Sequence, residues 1–100
     1  MIQRQIHFPI SEINQVCQRY RVRELALFGS ALRDDFSDAS DIDLLVEFDP
    51  EARVSFITLA RMQRELSALL HRRVDLVPKR GLKPRIRQSV LDSAEVVYAA

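Results

Sequence analysis

The chain is poor in cysteine and in glycine. Its single cysteine, Cys17, excludes a disulfide framework and a cysteine-based zinc cluster. Set among apolar positions of an expected helix, Cys17 reads as a small buried hydrophobe. Only Gly29 and Gly81 occur, where an average protein of this length has about seven, so each glycine marks a position that calls for a reason. No apolar run approaches the roughly 20 residues that cross a membrane. The opening MIQRQIHFPI lacks the apolar core of a signal peptide. A soluble cytoplasmic protein is therefore expected. Linkers, repeats and low-complexity stretches are also missing. With 47% apolar residues and a net charge of +1, the composition argues against disorder and against a simple polyanion-binding tail. Residues 1–100 are expected to form one compact domain with one core.

The near-neutral balance hides an uneven distribution. Asp34 to Glu51 holds eight acidic residues and no basic one, whereas KRGLKPRIR, residues 79–87, holds five basic residues and no acidic one. A solvated charged face explains either run taken alone. Together they suggest an acidic site for cations and a basic patch for an anion.

The apolar pattern predicts the order α-β-(α)-β-α-β-α-β. Ser11 can cap a helix to about Tyr20, with Ile13, Val16, Cys17 and Tyr20 on its apolar face. ELALF, 24–28, reads as a short strand ended by Gly29, followed by a helical turn from about Ser30 to Arg33. DIDLLVEF, 41–48, reads as a strand stopped by Pro50. A long helix from about Val54 to His71 places Phe56, Leu59, Met62, Leu66 and Leu69 at three- and four-residue spacing. RVDLV, 73–77, is a third strand, expected to be central and buried. Pro84 can open a helix to about Ser93, with Ile86, Val90 and Leu91 facing in. EVVYA can close the sheet. The fold class is α+β: a small mixed β-sheet packed with helices. The alternating order could suggest a parallel doubly wound sheet, while the dozen residues between Phe28 and Asp41 also suit an antiparallel pair.

Asp41 and Asp43 bracket Ile42. In a strand, residues two apart share a face about 6.5 to 7 Å apart, so the two carboxylates project together while Ile42 and Leu44 turn into the core. Adjacent carboxylates repel, and a bridging divalent cation relieves that repulsion. Oxygen-only ligands favour Mg²⁺ or Mn²⁺ over zinc. A lone D-x-D pair is common by chance. Asp75, flanked by Val74 and Leu76, adds a third carboxylate. A salt bridge to Arg72, Arg73 or the basic run would account for it singly. With Asp41 and Asp43, a three-carboxylate site for two metal ions is the better reading, of the kind that clamps both oxygens of an in-line phosphoryl-type displacement. A calcium-binding EF-hand loop fails, because Val46 stands where that loop needs glycine.

Gly29 follows a strand and precedes a helical turn, where the backbone can approach a ligand closely. The amides of that turn and the Ser30 hydroxyl form a candidate phosphate site. A plain turn with an N-cap is the simpler account of Gly-Ser alone. Arg33 can add a charge-assisted contact to phosphate or pair with Asp34 or Asp35.

Gly29-Ser30, ten residues, Asp41-x-Asp43 and then Asp75 on a later strand resemble the signature of the DNA polymerase β-like nucleotidyltransferase superfamily. The wording FGSALRDDF…SDIDLLVEF is most similar to the minimal nucleotidyltransferases, the MntA-type antitoxins paired with HEPN-domain toxins. The resemblance runs from the first helix to RVDLVPKRGLKPRIR. Asp34 departs from it, since many relatives have glycine after the arginine matching Arg33. The resemblance implies a polymerase β-like nucleotidyltransferase fold that binds ATP with Mg²⁺, two ions in all. It implies that Gly29 and Ser30 hold the triphosphate, that Asp41 and Asp43 ligate metal, and that Asp75 completes the metal that activates the acceptor hydroxyl. It further implies a type VII-like toxin–antitoxin pair, in which this chain transfers AMP from ATP to a tyrosine of a HEPN-type ribonuclease toxin and so neutralises it.

Other readings compete. The chain can be an antitoxin that acts by contact alone, its nucleotidyl site a relic. A small-molecule nucleotidyltransferase is disfavoured by the lack of a helical substrate domain. Direct nucleic-acid binding has only the basic run in its support, without interleaved aromatics or a known motif. His71 reads as a partner of its helix C-terminus rather than a metal ligand, and His7 carries no role. Tyr20 and Tyr98 read as core or edge residues, either of which could in principle accept AMP.

Overall fold

A computed structural model describes residues 8–29 and 41–100. Helix α1 spans Ile10–Arg19 and precedes strand β1, Val22–Phe28. Strand β2 is Ile42–Phe48, helix α2 Phe56–Leu70 and strand β3 Val74–Pro78. A 3₁₀ turn at Lys79–Gly81 leads to helix α3, Pro84–Ser93, and strand β4, Glu95–Ala99. The sheet order is β3-β2-β1-β4. β1 pairs antiparallel with β2 and β4, and β2 pairs parallel with β3. The sheet is thus mixed, as the sequence pattern predicts. The antiparallel β1–β2 pair bears out the short connection between them, while α2 supplies the longer crossover that a parallel pair needs.

Alternation along the strands divides the sheet into two unlike faces. Leu25, Leu27, Ile42, Leu44, Val74 and Leu76 turn to one face and are buried against Ile13, Val16 and Cys17 of α1 and Met62, Leu66 and Leu70 of α2. Fully burying a side chain of this size contributes about 1.5 to 3 kcal/mol, so this layer supplies most of the core. Among the described residues, the other face buries only Ala26, Leu45 and Leu82, with Phe28, Val77, Val90, Leu91 and Ala94 partly covered around them. No residue of α3 is buried, so that helix lies loosely over its face.

Several local expectations shift. Pro9, not Ser11, is the N-cap of α1, and no side chain caps the helix. α2 starts two residues later than expected because Ser55 caps it, its hydroxyl accepting from the Thr58 amide at 3.2 Å. Phe56, expected on the apolar face, is 90% exposed, and the buried stripe of α2 runs Met62, Leu66, Leu70 rather than through Leu69. Strict four-residue spacing leaves Leu69 at the edge of the stripe. His71 ends α2 in the left-handed conformation, φ 54°, so its bond to the helix end runs through its backbone. Ile86 of α3 is exposed rather than facing in. The helical turn expected at 30–33, and His7, lie outside the described residues.

A carboxylate pair under a glycine

The open face carries the candidate site. Register fixes its geometry: Asp43 of β2 is the direct partner of Asp75 in the parallel β3 ladder and of Phe28 in the antiparallel β1 ladder. Side chains of paired residues in adjoining strands stand on the same face, with strands about 4.8 Å apart. Two carboxylates 32 residues apart in the chain are therefore cross-strand neighbours. The spacing of adjoining strands is shorter than the roughly 6.5 to 7 Å between alternate residues of one strand, the separation that the D-x-D pattern of Asp41 and Asp43 suggests first. Asp41 stands just before β2 and is exposed, and the Ile42 amide between the two donates to the Arg73 carbonyl at 2.9 Å. That bond ties the entrance of β2 to the entrance of β3.

The expectation of a buried central strand for Asp75 is corrected. β3 is an edge strand and Asp75 is exposed. Val74 and Leu76 beside it are buried, and their apolar character misled the sequence reading: one face of an edge strand suffices to bury them. The ion pairs among the described residues, Arg19–Glu65, Arg21–Asp49 and Lys79–Glu47, do not include Asp75.

Gly29 explains itself through Asp43. Its φ is +72°, a conformation that side chains disfavour. A Cβ there would stand 2.4 Å from Asp43 Oδ2 and 3.2 Å from its Cγ. The backbone approach expected toward a ligand is in the first place an approach to a carboxylate. Any larger residue at 29 must displace the Asp43 side chain from its present place. Ser30 and Arg33, the other expected phosphate contacts, lie outside the described residues.

The donor set is all carboxylate oxygen, the chemistry of hard cations such as Mg²⁺. Asp43 and Asp75 fit such an ion by charge and by placement on one open face. Among the described residues, no group of three or more His, Cys, Asp or Glu side chains is close enough together to hold a metal ion as it stands.

The basic run begins four positions after Asp75, just past the end of β3 and about 13 Å further along at the spacing of a strand. Lys79 pairs there with Glu47 at 3.7 Å, and Arg87 donates to the Lys79 carbonyl at 3.1 Å. Tyr20 and Tyr98 both pack against the opposite, helix-covered core. The Tyr20 hydroxyl donates to Glu65, which also takes a 2.5 Å ion pair from Arg19. Hydrogen bonds from Tyr20 and then Arg19 hold Glu65 below the usual carboxylate range. Neither tyrosine shares the face of Asp43 and Asp75.

Sequence reasoning missed two polar residues of α2. Gln63 Oε1 accepts from the Leu76 amide at 2.9 Å, and Ser67 Oγ accepts from the Val74 amide at 3.1 Å. In the sequence they are only polar side chains four residues apart, each directly following an apolar residue, Met62 and Leu66; the pairing with β3 is what marks them.

Residues 10–97 match the nucleotidyltransferase domain family, and the chain belongs to that family. It is a minimal nucleotidyltransferase, similar to the protein adenylyltransferase MntA of Thermococcus cleftensis, with 43% identity over 81 residues, 81% of this chain and 78% of the relative. Two solved structures share the fold. A toxin–antitoxin structure with AMP-PNP superposes with TM-score 0.74 at 21% identity, over 93% of this chain and 75% of the other. A tri-AMPylated Shewanella oneidensis HEPN toxin in complex with MNT antitoxin gives TM-score 0.66 at 20% identity, over 91% and 70%. No helix among the described residues is long and apolar enough to cross a membrane.

Proposed function

We propose that this chain is an antitoxin that transfers AMP from ATP to a tyrosine hydroxyl of a HEPN-type ribonuclease toxin in the cytoplasm. The observation that carries the reading is the register of Asp43 against Asp75, with Gly29 leaving room for the Asp43 carboxylate. Kinship with the protein adenylyltransferase supports the reaction type, and the fold shared with antitoxins in toxin complexes supports the partner.

In the transfer, the acceptor oxygen attacks the α-phosphorus of ATP. A new P–O bond forms, the bond to the β-phosphate oxygen breaks, and pyrophosphate leaves. Asp41, Asp43 and Asp75 would hold Mg²⁺, which neutralises the negative charge that grows on the phosphate oxygens. Gly29 and Ser30 hold the triphosphate in line, with Arg33 as a further phosphate contact. Asp75, on the exposed edge, is placed to orient the acceptor hydroxyl and to help take its proton. Orientation of the two substrates contributes much of the rate. The fold shared with an antitoxin in complex with a HEPN toxin supports an acceptor that arrives as a separate folded protein.

The test is the intact mass of a HEPN partner after incubation with ATP and Mg²⁺. Each transferred AMP adds a fixed mass, and Asp43→Ala removes the gain. Transfer that survives this change would falsify the carboxylate assignment. Neutralisation by an Asp41→Ala/Asp43→Ala chain at full strength would favour an antitoxin that works by contact alone.

A further inference from the structure

The parallel β2–β3 ladder is what places Asp75 opposite Asp43, and β3 is held by β2 on one side only. On its free side, the outward amides are those of Val74 and Leu76, flanking Asp75. Both are occupied: Ser67 Oγ accepts from Val74 at 3.1 Å and Gln63 Oε1 from Leu76 at 2.9 Å. Ser67 Oγ also donates to the Gln63 carbonyl at 2.9 Å, which fixes its rotamer. The spacing is matched. Four residues of helix rise about 6 Å, and two residues of strand advance about 6.6 Å. Two side chains one turn apart on α2 thus meet two consecutive outward amides of β3. A slip of β3 by one residue would carry Asp75 to the helix-covered face, and it would break both bonds.

We propose that Gln63 and Ser67 are positioning residues for the carboxylate pair, holding β3 in the one register that sets Asp75 beside Asp43. The proposal rests on the reading of those carboxylates as the cation and nucleotide site. The bland alternative is edge protection, in which the two side chains merely keep a strand edge from pairing with another chain. That role would alter melting temperature or aggregation and leave the site unchanged.

The experiment measures binding of Mn²⁺ with ATP to the full chain by electron paramagnetic resonance, together with amide exchange at Val74 and Leu76. Gln63→Ala is expected to speed exchange at Leu76 and Ser67→Ala at Val74. Each should weaken binding roughly 10- to 100-fold, the loss that follows when partners orienting a metal ligand are removed. Ser67→Thr, which keeps the hydroxyl, and Gln63→Glu, which keeps the acceptor, should restore both readouts. Unchanged binding in folded chains whose amides exchange faster would overturn the proposal. If Gln63→Ala fails to fold, the comparison of Ser67→Ala with Ser67→Thr decides alone. Asp75→Asn separates the two levels. If it leaves Mn²⁺–ATP binding intact, the reading of the site itself is wrong. If it weakens binding while the Gln63 and Ser67 variants do not, only the positioning role falls.

Discussion

On one face of the sheet, Ile42, Leu44, Val74 and Leu76 lie buried beneath α1 and α2. On the other, the residues between them are Asp43, half-buried, and Asp75, exposed. The same two strands build both faces, and neighbouring residues do unlike work. Helix α2 serves both: its apolar stripe seals one face, and two of its polar side chains secure the edge strand on which Asp75 stands. The difference teaches where substitutions should separate stability from transfer. In β2 the boundary between the two runs between residues 43 and 44.

Leu44→Ala should break the sealed face. Leu44 is fully buried, and its truncation is expected to cost about 2 to 5 kcal/mol of stability. Denaturant unfolding measures this directly. A loss no larger than that of a surface substitution would show that the helix-covered layer is not the main source of stability.

Asp43→Asn should do the reverse. It keeps shape, removes charge and leaves the core untouched. Transfer of AMP should fall at least ~100-fold, as when a single charge-stabilising group is removed from a polar site. The unfolding midpoint should move far less than in Leu44→Ala, because the core is untouched. Destabilisation as large as that of Leu44→Ala would erase the division between residues 43 and 44.

Gly29→Ala sharpens the comparison, since it adds one methyl group and deletes no chemistry. The left-handed backbone at φ +72° makes a side chain cost about 1 to 3 kcal/mol. The new methyl also displaces the Asp43 carboxylate. Transfer by the folded variant is expected to fall with that of Asp43→Asn. Full activity in Gly29→Ala, measured by partner mass, would mean that the present position of the Asp43 carboxylate is unimportant.

Much of this was legible in the sequence because strand alternation is a local code. Ile42 and Leu44 inward with Asp43 outward follows from pattern alone. So do the four strands and three helices, which apolar spacing and the prolines at 50, 78 and 84 delimit. What escaped depends on pairing. Nothing local distinguishes an edge strand from a central one when one face is covered, so Asp75 was expected to be buried. The sequence groups Asp75 with Asp41 and Asp43, but that Asp75 is the direct cross-strand partner of Asp43 is a matter of register. Gln63 and Ser67 look like ordinary helix residues until the strand whose amides they meet is in place. Phe56 fits the helical period and lies one turn too early to reach the core.

Cys17 offers the mildest probe of the sealed face, invisible at neutral pH. Burial on the inner face of α1 pushes its thiol from 9.0 up to about 12. Below pH 9 both folded and unfolded chains keep the proton, and Cys17 adds no pH dependence. Between about 9 and about 12 the unfolded chain ionises while the folded chain does not. The unfolded state then binds fewer protons, so stability falls as pH rises through this window. Cys17→Ala should lower stability at every pH and flatten this part of the slope, seen as a smaller loss of melting temperature from pH 8.5 to 10.5, roughly the start of that window. The thiol of the folded chain should also resist alkylation at pH 8, when the unfolded chain reacts readily, because the thiolate is the nucleophile and burial withholds it. Equal alkylation rates with and without denaturant would show that the helices over this face open freely, and the contrast between a sealed and an open side of the sheet would not hold in solution.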